Sequence, residues 1–131
     1  MKKGIPPEII GVDIGGTKCA VSRYQSGGRI RELHHFATGR PGETLDKVAD
    51  VIARYGPPRN AVFGIACGGP LDPDRGLILS PPNLPGWDRV PVTKFFTERF
   101  GGRSFLMNDA NANALAEWRF GAGRGSRSMI F

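Results

Sequence analysis

The stretch Val12-Asp13-Ile14-Gly15-Gly16-Thr17-Lys18 decides the fold of this chain. It continues an apolar run that begins at residue 9 and is typical of a buried strand, and β-forming residues resume at residues 19–21. Two strands joined through glycines predict a hairpin whose tip lacks side chains that would keep a ligand away. Successive backbone N–H groups at such a tip can form a concave site for an anion. The order of residues differs from that of the strand-to-helix phosphate loop.

The polar side chains of this hairpin favour phosphate binding. Thr17 offers a hydroxyl and Lys18 a cation. Asp13, at the end of the first strand, can hold Mg²⁺ through its oxygens or through bound water. The alternative is a tight hairpin in which Asp13 only caps the turn. The order Asp-x-Gly-Gly-Thr-Lys after a buried strand favours phosphate binding over that alternative.

Length and composition predict one globular domain. The chain has 131 residues, of which 40% are hydrophobic and 23% charged, as is ordinary for a folded protein. No apolar run approaches the roughly 20 residues that cross a bilayer. Met1-Lys2-Lys3 precedes no apolar stretch of signal-peptide length. We therefore expect a cytoplasmic protein that does not enter the membrane.

The net charge of +6 raises the question of nucleic-acid binding. The basic residues are scattered, with local density at Arg119, Arg124 and Arg127, and aromatic residues do not alternate with them. We interpret these arginines as a solvated face. A polyanionic small molecule such as ATP also favours positive potential, so the charge does not require nucleic acid.

Residues that often bind metals are interpreted as structural in this sequence. Cys19 and Cys67 lack metal-ligand spacing and lie in apolar, Gly-rich surroundings, which predicts buried free thiols. His34 and His35 are adjacent in a predicted strand, so their side chains point to opposite faces and cannot share one metal ion.

Hydrophobic patterning predicts a mixed α/β fold with the order β-β-β-α-β-α-β-α, followed by the start of another strand. The turn Ser26-Gly27-Gly28 precedes the third strand, and the apolar strand after the first helix shows no alternation, so we expect it to be central and covered on both faces. The predicted strands after the hairpin cover residues 29–38, 61–66, 103–107 and 129–131, with a short extended piece at 77–80, and the helices cover 43–55, 92–100 and 110–120.

Asp13, Gly69 and Asp109 all fall at the ends of predicted strands. Ligands in open α/β sheets bind at the carboxyl edge, so these three positions can converge on one cleft. Asp109 can serve as a general base for phosphoryl transfer, or it can be only a helix cap. Asn108 offers both a donor and an acceptor, which suits a vicinal diol.

Four motifs, in this order, resemble the N-terminal domain of the ROK family of repressors and sugar kinases, within the actin and hexokinase superfamily. They are residues 11–18 (GVDIGGTK), 69–72 (GPLD), 83–87 (NLPGW) and 108–112 (NDANA). The resemblance implies an RNase H-like, actin-like ATPase domain over residues 1–131. It also implies that the second, C-terminal domain of the family is absent from this chain. Any zinc site would likewise lie outside this chain. The chain would then be half an enzyme, inactive or very weak alone.

The resemblance also implies roles for individual residues. Asp109 would deprotonate the sugar hydroxyl, and Trp87 would pack the loop that carries Asn83. The contacts to ring hydroxyls would come from Gly69, Asn83, Asn108 and Asp109. The ATP phosphates would be held by Asp13, Gly15, Gly16, Thr17 and Lys18, with Asp13 near Mg²⁺.

These roles predict ATP-dependent phosphorylation of a hexose such as glucose, or of an N-acetylhexosamine. A first alternative is a sugar-responsive transcriptional regulator of the same family. The phosphate motif begins about ten residues from Met1, which leaves no room for a preceding helix-turn-helix. A second alternative is a non-catalytic fragment that self-associates through apolar surface, giving a homo-oligomer.

Overall fold

The computed structural model describes residues 7–25, 29–57 and 59–131. The predicted turn at Ser26-Gly27-Gly28 and the N-terminal residues Met1-Lys2-Lys3 lie outside these ranges. A five-stranded sheet with the strand order β3-β2-β1-β4-β8 forms the centre of the structure. Its strands are β1 (Ile9–Ile14), β2 (Lys18–Gln25), β3 (Arg29–Ala37), β4 (Val62–Cys67) and β8 (Arg103–Asn108).

The sheet is mixed, as the sequence predicts. β1 to β3 form an antiparallel meander, whereas β4 and β8 run parallel to β1. In the register, Ile14 pairs with Cys67, and Cys67 pairs with Asn108. The carboxyl ends of the three parallel strands therefore lie side by side at one edge of the sheet.

Helices α1 (Pro41–Tyr55) and α2 (Val92–Phe100) contribute to the core on one face of the sheet. α1 starts two residues before the predicted position because Pro41 suits the first turn, where its missing N–H is not needed. It ends at Tyr55, and the left-handed conformation of Gly56 (φ 60°) closes the last turn. Fully buried side chains from the sheet and both helices form one core, among them Ile10, Ile14, Val21, Val48, Ile52, Phe63 and Phe96.

A second, three-stranded antiparallel sheet lies between β4 and α2 in the chain. It consists of β5 (Leu71–Asp72), β6 (Leu77–Ile78) and β7 (Val90–Pro91). The sequence predicts only an extended piece at residues 77–80, because two-residue strands are too short to show hydrophobic alternation. The last helix, α3 (Asp109–Phe120), follows β8 directly.

Two predictions about the sheet are wrong. β4 is buried on the side of Phe63, Ile65 and Cys67, but Gly64 on the other face is exposed. The only described helix over that second face, α3, has no buried residue and leaves much of the face uncovered. Residues 129–131 form no strand, and Ile130 is fully exposed, since no strand among the described residues pairs with this segment.

The two histidines occupy different environments, as alternation in a strand requires. The ring of His34 lies 5.7 Å from that of Tyr55, and His35 is exposed. Both cysteines are free and buried. In the described ranges, no helix has the length and apolar character needed to cross a lipid bilayer.

Candidate active site

The β1–β2 hairpin has a tip that only glycine can form. The N–H of Gly15 donates to the carbonyl of Lys18 (3.1 Å), and a Cβ on Gly15 would lie 2.7 Å from that oxygen. A Cβ on Gly16 would lie 2.6 Å from the carbonyl oxygen of Asn83. Gly16, Thr17 and Lys18 are exposed. The tip is therefore a bare backbone turn, packed against the loop that carries Asn83.

The loop around Asn83 is folded by backbone turns. The N–H of Leu84 donates to the carbonyl of Pro81 (2.9 Å), and the N–H of Trp87 donates to that of Leu84 (3.1 Å). Leu84 and Trp87 are buried, while Asn83 is exposed. The indole N–H of Trp87 donates to the carbonyl of Gly39 (3.0 Å). Trp87 thus packs the loop, as predicted, and leaves Asn83 facing outward.

The junction between β8 and α3 presents two polar side chains in fixed orientations. Asn108, and not Asp109, caps the helix: its Oδ1 accepts from the N–H of Asn111 (3.2 Å). Its Nδ2 lies near Gly69, 3.7 Å from where a Cβ of Gly69 would be. The Nδ2 of Asn108 can thereby donate to a ligand, whereas its Oδ1 accepts the bond that caps the helix.

Asp109 is the first residue of α3 and directs one carboxylate oxygen toward the glycines that follow β4. Its Oδ1 accepts from the N–H of Ala110 (2.8 Å). Its Oδ2 lies 3.9 Å from where a Cβ of Gly68 would be. A side chain on Gly68 would therefore restrict access to the oxygen that remains available to accept a proton.

The charge of Asp109 acts on two neighbouring groups at this edge. Burial raises the pKa of Asp13 above its usual value, and the negative charge of Asp109 raises it further. Burial also raises the pKa of the Cys67 thiol to about 12, with smaller contributions from Asp109, Cys19 and Asp13. Asp13, Cys67 and Asp109 therefore share one negative region at the carboxyl ends of the parallel strands.

This region fits a divalent cation held largely by water and phosphate. A cation between Asp13 and Asp109 would offset the repulsion that raises the pKa of Asp13. Among the described residues, no three His, Cys, Asp or Glu side chains gather into a group that could hold a metal. Mg²⁺ commonly binds through one or two carboxylates together with waters and substrate phosphates, so two carboxylates suffice.

The structure brings the predicted residues together in two groups. Asp13, Asp109, Asn108 and Gly69 lie at the edge of the parallel strands. The β1–β2 hairpin and Asn83 contact one another beside it. Two hollows adjoin these groups. The larger, about 430 Å³, is lined by Gly16, residues 38–41 and residues 84–87. The smaller, about 270 Å³, is lined by residues that include Gly69, Asn108 and Asn111.

Sequence reasoning missed the contribution of residues 38–41. The sequence predicts that the third strand extends to Thr38, but β3 ends at Ala37 and Thr38 turns toward the hairpin. Its hydroxyl donates to the carbonyl of Gly15 (2.7 Å). The order Thr-Gly-Arg-Pro between a strand and a helix was the available signal, because Thr and Pro are typical of residues that flank a helix start.

Comparison with known proteins identifies relatives of this chain. The sequence profile of the ROK family matches residues 9–131. A glucokinase of Thermotoga maritima is 35% identical over 127 residues, which are 94% of this chain and 40% of that protein. A putative xylose repressor of a Caldicellulosiruptor species is 30% identical over 123 residues, which are 86% of this chain and 30% of that protein.

Solved structures show the same fold. A ROK family glucokinase from Streptomyces griseus, crystallised with glucose and AMPPNP, superposes with a TM-score of 0.77 at 35% identity. The match covers 90% of this chain and 38% of that one. The predicted actin-like ATPase fold is thereby confirmed. The chain spans about 40% of the length of these kinases.

Proposed function

This chain belongs to the ROK family, and we propose that it carries the phosphate-binding and catalytic-base half of an ATP-dependent hexose kinase. One observation carries the proposal. Asp109, Asn108 and Gly69 lie with Asp13 at one edge of the sheet, beside a bare hairpin suited to phosphate. The sugar kinases among the relatives support this choice of reaction.

In the proposed reaction, Oδ2 of Asp109 accepts the proton of a sugar hydroxyl. The hydroxyl oxygen forms a bond to the γ-phosphorus of ATP while the bond from that phosphorus to the β,γ-bridging oxygen breaks, and ADP leaves. The Nδ2 of Asn108 donates to a neighbouring sugar oxygen, with Asn83 and the backbone of Gly69 as further sugar contacts. A general base with fixed orientation contributes typically 10²–10⁴-fold to such a step.

The hairpin binds the phosphates in this proposal. Gly16 and Thr17 offer backbone N–H groups, Gly15 lets a phosphate approach closely because it has no side chain, and Lys18 offers a positive charge. Mg²⁺, reached from Asp13 through water, would neutralise charge on the transferred phosphoryl group. Electrostatic stabilisation of this kind is commonly the largest single contribution to phosphoryl transfer.

We also propose that residues 1–131 form one domain and that a second domain completes the site. The relatives are about two and a half times as long as the matching segment. Kinases that close two domains on their substrates exclude water and complete the site only on closure. We therefore expect the isolated chain to bind nucleotide weakly and to transfer phosphate very slowly.

The test is ADP release from ATP and Mg²⁺ across a panel of hexoses and N-acetylhexosamines. It is run on the chain alone and on a chimera in which the chain replaces the matching segment of the Thermotoga maritima glucokinase. Asp109→Asn is compared with Asp46→Asn, which changes an exposed carboxylate on α1. We expect sugar-dependent turnover of the chimera that Asp109→Asn lowers at least a hundredfold and Asp46→Asn leaves unchanged. Equal turnover of the two variants would refute the role of Asp109.

A regulator of sugar-dependent transcription is the second candidate, because one relative is named a putative xylose repressor. The pairing of a phosphate hairpin with an oriented carboxylate favours the kinase. Duplex DNA in a gel-shift assay at several salt concentrations separates the two, since phosphate contacts weaken steeply with added salt. A third candidate, a self-associating fragment, is favoured by the uncovered face of the sheet and is tested by light scattering.

A further inference from the structure

Thr38 contacts the phosphate hairpin at three points. Its hydroxyl donates to the carbonyl of Gly15 (2.7 Å), and its backbone N–H donates to the carbonyl of Thr17 (3.0 Å). The sulfur of Cys19 lies 3.2 Å from the same hydroxyl oxygen. Since the hydroxyl hydrogen is directed at Gly15, the thiol of Cys19 is the donor in this third contact. One residue outside the hairpin thus holds both sides of its tip.

These bonds determine where two N–H groups of the tip point. In a planar trans peptide, the carbonyl of one residue and the N–H of the next point in opposite directions. Holding the carbonyl of Gly15 toward Thr38 therefore turns the N–H of Gly16 away from Thr38. Holding the carbonyl of Thr17 in the same way turns the N–H of Lys18 away. Both N–H groups therefore point away from the side that Thr38 occupies.

The position of Thr38 is itself rigid. It follows Ala37, which pairs with Lys18 at the end of the β2–β3 ladder. On its other side, the carbonyl of Gly39 accepts from the buried Trp87, and the N–H of Gly39 donates to the buried hydroxyl of Thr44 (2.9 Å). Because Thr38 is held in place on both sides, its bonds to Gly15 and Thr17 restrain a glycine turn that would otherwise be flexible.

We propose that Thr38 is a positioning residue that keeps the tip of the hairpin in the conformation that binds phosphate. This inference rests on the proposed function for its ligand, but the contacts of Thr38 with the hairpin do not depend on it. Thr38 acts through Gly15 and Thr17 and needs no contact with the nucleotide.

The test compares Thr38→Val, which keeps the shape and removes the hydroxyl, with Thr38→Ser, which keeps the hydroxyl. Thr97→Val is the matched control, because its hydroxyl donates to Ser104 (3.1 Å) at an exposed position on α2. Two quantities are measured by NMR on the full chain. One is the ¹⁵N order parameter of Gly16 without nucleotide, and the other is the dissociation constant for AMPPNP with Mg²⁺.

We expect Thr38→Val to lower the order parameter of Gly16 from about 0.85 to below about 0.6. We also expect it to weaken AMPPNP binding about five- to tenfold, as loss of one hydrogen bond at a partly buried carbonyl implies. Thr38→Ser should restore both quantities to within about twofold, and Thr97→Val should change neither. If Thr38→Val does not fold, Thr38→Ala takes its place, since it removes the same hydroxyl.

Thr38→Val with a rigid Gly16 and unchanged affinity would overturn the inference. So would equal losses in Thr38→Val and Thr38→Ser, because the hydroxyl would then be irrelevant. Failure of the wild-type chain to bind AMPPNP at millimolar concentration would instead count against the proposed function. In that event the order parameters still decide whether Thr38 holds the hairpin.

Discussion

Helices α1 and α3 lie against opposite faces of the same sheet, yet α1 buries seven side chains and α3 buries none. The face under α1 is filled by side chains with no exposure, such as Ile52 and Phe63. The face under α3 leaves Phe105 56% exposed. The catalytic candidates come from the less covered side, because Asp109 begins α3.

The two sides of the site are held in place by different contacts. The β1–β2 hairpin and the loop of Asn83 are connected to α1 and the core by hydrogen bonds of Thr38, Gly39 and Trp87. Asp109 and Asn108 depend instead on β8 and on the cap that Asn108 forms with Asn111. A partner protein that covers the open face would therefore stabilise the position of Asp109 more than that of the β1–β2 hairpin.

Thiol labelling gives the largest expected contrast between the faces. The pKa of Cys67 is raised to about 12 by burial and nearby charge, so at pH 8 its thiolate is about a thousandfold scarcer than at the ordinary value. A cysteine introduced by Gly64→Cys lies on the same strand but on the open face, where a Cβ meets nothing within 4 Å. Mass spectrometry of labelled peptides separates the two sites.

We expect the new cysteine to react within minutes and Cys67 to react only on unfolding. Because the pKa of Cys67 is raised in the folded state, its contribution to stability is lost as the pH rises from about 9 to about 12. Similar labelling rates at the two sites would show that the covered face opens readily.

The free energy of unfolding of large-to-small variants measures the same difference between the two faces of the sheet. Ile52→Ala, at a fully buried position in α1, should lower the free energy of unfolding by about 2–5 kcal/mol. Leu115→Ala, at a position in α3 that is 40% exposed, should lower it by less than about 1 kcal/mol. Urea denaturation monitored by circular dichroism gives both values. A larger cost at Leu115 would mean that α3 is packed by more than this chain, for example by a second copy.

The two tryptophans offer a matched pair. The indole N–H of Trp87 bonds the carbonyl of Gly39, whereas that of Trp118 in α3 bonds the carbonyl of Ser126 at an exposed site. Trp87→Phe should lower the free energy of unfolding by about 1–3 kcal/mol, because a partly buried carbonyl loses its donor and the smaller ring packs less well at the buried position of Trp87. Trp118→Phe should lower it by no more than about 0.5 kcal/mol. Equal losses of stability in the two variants would contradict the expected difference between the covered and the open side of the sheet.

The smallest expected effect is a gain in stability from a substitution in α1. A Cβ on Gly42, in the first turn, would meet nothing within 4 Å, so Gly42→Ala should raise the free energy of unfolding by about 0.5–1 kcal/mol. Gly56→Ala is the control, since Gly56 has φ 60° and a side chain is strained there. Thermal unfolding distinguishes the expected rise from the expected fall. Destabilisation by Gly42→Ala would indicate that the start of α1 is not a regular helix.

Much of the fold could be predicted because its signals are local. The antiparallel meander follows from alternation around the glycine hairpin, and α2 has the predicted limits because apolar residues recur at helical spacing. The convergence of Asp13, Gly69 and Asp109 follows from strand order, which the predicted element order indicated. Which atom of Asn108 is free could not be predicted, since it depends on a hydrogen bond to Asn111.

The sequence by itself determined the family, the hairpin, and the residues that meet at the edge of the parallel strands. These follow from residue types in a set order, which the chain carries in any conformation. Only the tertiary structure decided that β4 has one open face and that Thr38 holds the hairpin. It also decided that Asn108 caps α3 in place of Asp109. Each of these depends on which groups come within a few ångströms of each other, and residues far apart in the chain meet only when the sheet has formed.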